Sequence, residues 1–345
     1  MQRQSHNLQD IMNRKSNFEI GREHYLRREY EEAVKWFEKG VLRDSTASLG
    51  WLGHCYEYGL GVAKDLYRAK DLYQSCENFR SICYQSDEFG VWLQERLDAL
   101  KDIPVQDSER RFIDGIGNVK VMKDSSSYVP IKVRYNKNET VIQVSKRNSL
   151  ISGFLYAENT LPELFSEWTC DGVNKFHDGY TLETDFFTLK IIAAKVSDYK
   201  SVIDGRNLTI HVPDNLSFNH LYVQVHILKK VKEILFKRAE IVIPEKLREV
   251  ADRTGTSFKK CKVVMTNRSW LAKNCYKDSL IEFCAKSVQL PEKSLEALCI
   301  HELAHNFVQG HGSEFRKKMI ELGGKEAIRL DLNLFQEGRW PYIRF

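Results

Sequence analysis

The chain has no run of about 18 uncharged apolar residues, the length that a membrane-spanning helix requires, so no span is expected. Its opening residues, MQRQSHNLQDIMNRKS, are polar and lack the apolar stretch of a secretory signal. The eight cysteines (Cys55, Cys76, Cys83, Cys170, Cys261, Cys275, Cys284 and Cys299) are scattered without a single C-x-x-C pair. That pattern argues against a disulfide framework and for reduced thiols in a cytoplasmic protein. A strong charge of either sign is also missing. With 52 basic and 47 acidic residues the formal net charge is +5, which makes no case for a nucleic-acid partner. No Gly-rich phosphate loop of the P-loop kind is present. What remains is a globular composition in 345 residues, enough for two or three domains.

Residues 17 to 100 read as helical throughout. Phe18, Gly21, Tyr25, Tyr30, Ala33, Trp36 and Phe37 recur at helical spacing. A related pattern follows at Leu52, Gly53, Tyr56, Gly59, Gly61, Val62, Asp65, Ala69, Leu72 and Tyr73. Gly21 and Gly53 lie 32 apart, and Ala33 and Ala69 lie 36 apart, so a period in the mid-thirties points to stacked helical hairpins. The second unit, with Tyr-x-x-Gly-x-Gly-Val-x-x-Asp from Tyr56 to Asp65, resembles a Sel-one-like repeat. The first has a shorter, tetratricopeptide-like turn. The resemblance implies a protein partner. A helical cap without a partner is the alternative. Two units are fewer than such arrays usually need, so they are expected to lean on a neighbouring domain or chain.

Pro104, Gly115, Gly117 and the Ser125-Ser126-Ser127 run mark residues 101–127 as a linker. The apolar period then becomes two. Residues 130–135 and 139–144 read as a β-hairpin, and 186–193 and 207–212 as further strands. From His220 the pattern is helical again, with Pro244 expected to open a second helix over 245–254. Residues 262–265 and 280–284 read as strands, the latter beside the following helix and offering an edge to an extended peptide. The expected architecture is α+β. Helical hairpins occupy 1–100 and a linker 101–127. A domain over 128–345 has a β-rich part (128–215) and a helical metal-binding part with a short sheet (216–345).

The chemistry lies in HELAHNFVQGHGSEF. His301 and His305 are four apart, on one face of a helix, and Glu302 stands beside them. Leu295, Leu298, Ile300, Leu303, Ala304, Phe307 and Val308 cover most of that helix, so it is expected to be buried. Burying two imidazoles and a carboxylate is costly unless they bind a metal. The helix is expected to end near Gln309-Gly310, returning His311 to the first two ligands. Ser313 suits the start of the next helix. Three imidazoles with an open position favour Zn²⁺, with Glu302 as general base. Cys299, two residues before His301, reads as a core residue. The remaining histidines show no ligand spacing.

HELAH with a histidine six residues later, then Gly312 and Phe315, resembles the YgjP-like metallopeptidase family, related to SprT and WLM metallopeptidases. Leu290-Pro291 and the preceding strand extend the likeness, which covers about 128–336. It implies a zincin-type fold and peptide hydrolysis. The family's Arg-Trp-Gly-Ser-Cys-like segment is altered here to residues 267–275, NRSWLAKNC, which touches the substrate pocket and not the metal. Arg268 and Tyr276 are candidate oxyanion donors. Three functions follow: a zinc metallopeptidase recruiting protein through its repeats, a metal-dependent nucleotide phosphohydrolase, or a non-catalytic metal-binding interaction protein. The intact Glu302 argues against the last.

Overall fold

In the computed structural model, residues 15–43, 45–80, 87–124, 131–168, 175–265, 270–275, 279–336 and 343 are described, and they divide into two compact units, 1–162 and 163–345. The first unit opens with helices α1 (Asn17–Leu26), α2 (Tyr30–Val41), α3 (Thr46–Tyr58), α4 (Leu66–Arg80) and α5 (Asp87–Ala99). Consecutive helices pack pairwise, α1 on α2 and α3 on α4. The repeated glycine has one job in both pairs. A Cβ on Gly21 would lie 2.7 Å from the Phe37 ring, and one on Gly53 would lie 2.8 Å from the Tyr73 ring. Each glycine thus admits an aromatic ring of the partner helix against bare backbone. The loop between α3 and α4 is built as tightly. Gly59 closes α3 in the left-handed conformation, and a Cβ on Gly61 (φ +71°) would meet the Tyr30 backbone at 2.4 Å. Asp65 then caps α4 by accepting from Arg68 N at 3.1 Å.

Residues read from the sequence as part of a linker are instead structured. They form β1 (Ser108–Ile113) and β2 (Gly117–Asp124), an antiparallel pair. With β3 (Ile131–Tyr135) and β4 (Thr140–Ser145) they make a sheet of order β1-β2-β4-β3, and α6 (Leu150–Asn159) packs on β2 and β4. Gly115 and Gly117 lie at the turn between β1 and β2, and exposed charge hides the period of β1, which alternates exposed and half-buried positions; Ser125, Ser126 and Ser127 lie outside the described residues. The hairpins share a buried core with α6, the helix that packs on this sheet within the same unit. Ile151 and Leu155 of α6 belong to the same buried cluster as Phe37, Leu52, Leu72, Tyr73 and Leu93.

A buried carboxylate joins the three parts of the unit. Asp71 of α4 accepts from Ser149 Oγ at 2.8 Å and from Leu150 N at 2.7 Å, at the start of α6. Its other oxygen lies 2.5 Å from Lys123 Nζ of β2, and both side chains are only 8% exposed.

The second unit repeats the plan. A short helix, α7 (Leu161–Trp168), runs across the boundary between the units. Strands β5 (Tyr180–Glu183), β6 (Thr188–Ala194), β7 (Lys200–Asp204) and β8 (Asn207–Pro213) have the order β5-β6-β8-β7. As in the first sheet, the outer pairs are antiparallel, the central pair is parallel, and a helix follows the fourth strand. That helix, α8 (Leu221–Thr254), passes through Pro244 without ending, contrary to the two helices expected. Proline removes one backbone donor and crowds the preceding turn. Val242, Ile243, Leu247 and Val250 are buried on both sides of it, and this packing outweighs the local penalty.

A three-stranded sheet follows, β9 (Lys260–Val264), β10 (Ala272–Cys275) and β11 (Leu280–Cys284), in the order β10-β11-β9. The strand 280–284 is therefore central, and β10 is the edge, correcting the expectation above. A 3₁₀ turn over Ala285–Gln289 leads to α9 (Glu292–Ala304) and α10 (Ser313–Gln336). No described helix is long and apolar enough to cross a membrane. Of the cysteines, Cys55, Cys261, Cys275 and Cys299 are free thiols, while Cys83 and Cys170 lie outside the described residues.

Replacing Asp71 by Ala strands the Lys123 ammonium and should lower the stability of the first unit by about 3–5 kcal/mol in chemical denaturation. The Asp71→Leu/Lys123→Met pair should lose less than the single change. A double replacement as damaging as Asp71→Ala would show that the ion pair is not what holds these elements together.

Candidate metal centre

Helix α9 begins with Pro291 as its N-cap residue and is buried from Leu295 to Ala304 apart from Glu296. It ends at Ala304, with His305 as C-cap, a turn and a half earlier than the sequence suggested. Side chains take over where the helix stops. Asn274 of β10 donates to Glu302 O at 2.6 Å, His305 Nδ1 donates to Val308 O at 2.9 Å, and Asn306 Nδ2 donates to Ser257 O at 2.9 Å. The first bond satisfies a carbonyl of the terminal turn and the other two anchor the residues just past it; the chain reverses there and brings His311 across to His301 and His305.

The three Nε2 atoms face one another: 3.1 Å for His301–His311, 3.2 Å for His301–His305 and 3.2 Å for His305–His311. They form a cluster suited to a metal ion, and no other group of three or more His, Cys, Asp or Glu among the described residues does so. The hydrogen bonds behind the rings set what these nitrogens carry. A carbonyl only accepts, so His305 Nδ1 holds the proton. Burial further lowers the His305 pKa, keeping the ring neutral with a bare Nε2. His301 Nδ1 lies 2.9 Å from Asp331 Oδ1 of α10 and donates to it. Burial lowers the His301 pKa, but the Asp331 carboxylate more than offsets this and raises it. In their neutral forms these rings point bare lone pairs at each other. A cation removes that repulsion. Tetrahedral zinc with Zn–N bonds of about 2.0–2.1 Å separates its nitrogens by about 3.3 Å, close to the spacing here. The residues fit a divalent ion.

Phe315, 3% exposed, packs on all three imidazoles, with ring centroids at 4.9, 4.6 and 5.0 Å from His301, His305 and His311. Glu302 is 3% exposed and its Oε2 has no hydrogen-bond partner among the described residues. Burial pushes its carboxyl up to about 7. His301 and the Asn274 backbone amide pull it down, and Asp331 pushes it up. The cavity before these groups, about 600 Å³, is lined by Ala272, Lys273 and Asn274 of β10 on one side and by Met319, Ile328 and Leu332 of α10 on another. Cys299 is fully buried in the core, and burial pushes its thiol well up. Arg268 and Tyr276, the candidate oxyanion donors, lie outside the described residues.

Sequence reasoning missed Asp331 and Asn274. Asp331 carried a faint signal: Phe315, Met319, Gly323, Ala327 and Asp331 are spaced by four, and the first four of these positions bear on the core of the unit. Helix α10 is kinked at Gly324 (φ 72°, ψ −179°), a conformation that L side chains rarely adopt. Beside the kink, a Cβ on Gly323 would fall 2.4 Å from Ile300 Cδ1 and 2.7 Å from Ala327 Cβ. The bare backbone of Gly323 thus lets α10 close on the helix that carries His301.

Comparison with known proteins adds a match over part of the chain. Residues 186–323 match the family model of the YgjP-like metallopeptidase domain, from β6 through the three histidines to the Gly324 kink. The match is narrower than the 128–336 over which the sequence resemblance was drawn. Among solved structures, the metallopeptidase zymogen of Pyrococcus abyssi abylysin aligns at 19% identity over 28% of this chain and 94% of that chain, with a TM-score of 0.25. No curated protein matches the chain.

Gly323→Ala should cost about 1–3 kcal/mol of stability through overpacking against Ile300. Adding Ile300→Val, which removes the opposing methyl, should recover part of that loss in a thermal melt. No recovery in the double variant would place the strain elsewhere.

Proposed function

We propose that the second unit is a zinc-dependent peptidase in which His301, His305 and His311 hold the ion and Glu302 is the general base. The observation that carries this reading is the convergence of three Nε2 atoms within 3.2 Å beside a buried carboxylate oxygen without a donor. The metallopeptidase domain match over 186–323 supports the choice of peptide substrate. A bound zinc ion supplies Lewis acidity, bringing the deprotonation of water near neutral pH and polarising the scissile carbonyl. Glu302 accepts the proton as water attacks and delivers it to the departing amine nitrogen. Its apolar burial suits a group that must both take and return a proton.

Strand β10 gives the substrate a place to lie. It is the edge of its sheet, it pairs with β11 alone among the described strands, and three of its residues line the cavity. An extended peptide can add to such an edge through main-chain hydrogen bonds. The hairpins of the first unit are proposed to bind a protein partner or substrate, on the Sel-one-like and tetratricopeptide-like patterns of their sequence.

Glu302→Gln should retain zinc and lose about 10²–10⁴ of peptide hydrolysis, and His305→Ala should lose the metal as judged by elemental analysis. Unfolded proteins and nucleotides assayed on one zinc-loaded preparation separate peptidase from phosphohydrolase. Wild-type turnover by Glu302→Gln would remove it from the role of base.

A further inference from the structure

Asp331 lies beyond residue 323, where the family match ends, yet it contacts the first histidine of the HExxH motif. Both side chains are nearly enclosed, at 13% exposure for Asp331 and 10% for His301. The contact depends on the Gly324 kink, which redirects the chain so that residues 325–336 form a separate helical segment. Ala327, one turn before Asp331, is 4% exposed, while Ile328 and Leu332 face the cavity. The segment is therefore seated, and its carboxylate is placed by packing.

The three imidazoles are held unequally from behind. His305 donates its Nδ1 proton to a neutral carbonyl, Val308 O. His301 donates to a carboxylate, Asp331 Oδ1 at 2.9 Å. A carboxylate behind a ligating imidazole fixes the tautomer, stops rotation of the ring and strengthens electron donation from the opposite nitrogen. Charge-assisted hydrogen bonds are also the stronger kind.

Resting on the metallopeptidase reading above, we propose that Asp331 is the positioning residue of the metal centre. It holds His301 with Nδ1 protonated and Nε2 aimed at the ion, so the functional metal-binding element of this chain extends to residue 331 and includes the helical segment after Gly324. The carboxylate acts through His301 and takes no part in bond making.

The test is zinc affinity, measured on the full chain by competition with a chromophoric chelator, for the wild type and for Asp331→Ala, Asp331→Asn, Asp331→Glu and His305→Ala. Asp331→Ala should weaken zinc binding about 10- to 100-fold. Asn, which still accepts from Nδ1 but carries no charge, should fall between Ala and the wild type, and Glu should restore part of the loss. Thermal melts of the metal-free proteins check folding, and the isosteric Asn variant keeps the test open if Ala unfolds. Zinc affinities for both the Ala and Asn variants within about two-fold of the wild type, with binding abolished by His305→Ala, would overturn the role of Asp331 and leave the three-histidine site intact. Equal zinc binding by the wild type and His305→Ala would overturn the site and this inference together.

Discussion

Three imidazole Nε2 atoms facing one another at 3.1–3.2 Å are the constraint around which the second unit is arranged. Two unprotonated nitrogens repel at that spacing unless a proton or a cation lies between them. Two hydrogen bonds, from His305 to the Val308 carbonyl and from His301 to the Asp331 carboxylate, hold those rings from behind, and Phe315 packs on all three imidazoles. Each is a consequence of where a helix ends or bends. Helix α9 stops at Ala304, where Asn274 donates to the Glu302 carbonyl and where His305 and Asn306, just past the helix, bond to Val308 O and Ser257 O. Helix α10 bends at Gly324, where the backbone is left-handed.

Electrostatics and burial work together at Glu302. The same enclosure that makes the carboxylate expensive to ionise leaves its Oε2 without a hydrogen-bond partner among the described residues. The stretch 186–323, which matches the metallopeptidase family model, contains the motif helix and all three histidines. The edge strand β10 joins both aspects, since its Asn274 holds the end of the motif helix while its neighbours line the cavity.

The first unit is held by a different device. Asp71 accepts hydrogen bonds at the start of α6 and pairs with Lys123, so one buried carboxylate ties a helical hairpin, a strand and the helix covering the sheet. The sheet it stabilises has the strand order and pairing pattern of the sheet β5-β6-β8-β7 in the second unit, and each is followed by a helix. Glycine–aromatic contacts, Gly21 against Phe37 and Gly53 against Tyr73, explain why glycines recur in the helices 32 residues apart.

The sequence by itself determined the elements whose signals are local. The HELAH spacing puts two imidazoles on one helical face, the alternation over 139–144 marks a strand, and the Gly59-x-Gly61 loop is legible because only glycine fits its backbone. Boundaries set by long-range contacts were not legible. Pro244 reads as a helix break and is overridden by buried flanks. The residues around Gly115 read as a linker and form the turn of a hairpin, because its strands are only half covered. Asn274 has no signature in composition or period, and Asp331 has only the four-residue spacing that runs from Phe315. Their roles arise only when tertiary packing brings residues 30 positions apart within 2.9 Å, and residues 28 apart within 2.6 Å. Local periodicity records which face of an element is buried. It does not record which polar group of a distant segment the fold places behind it.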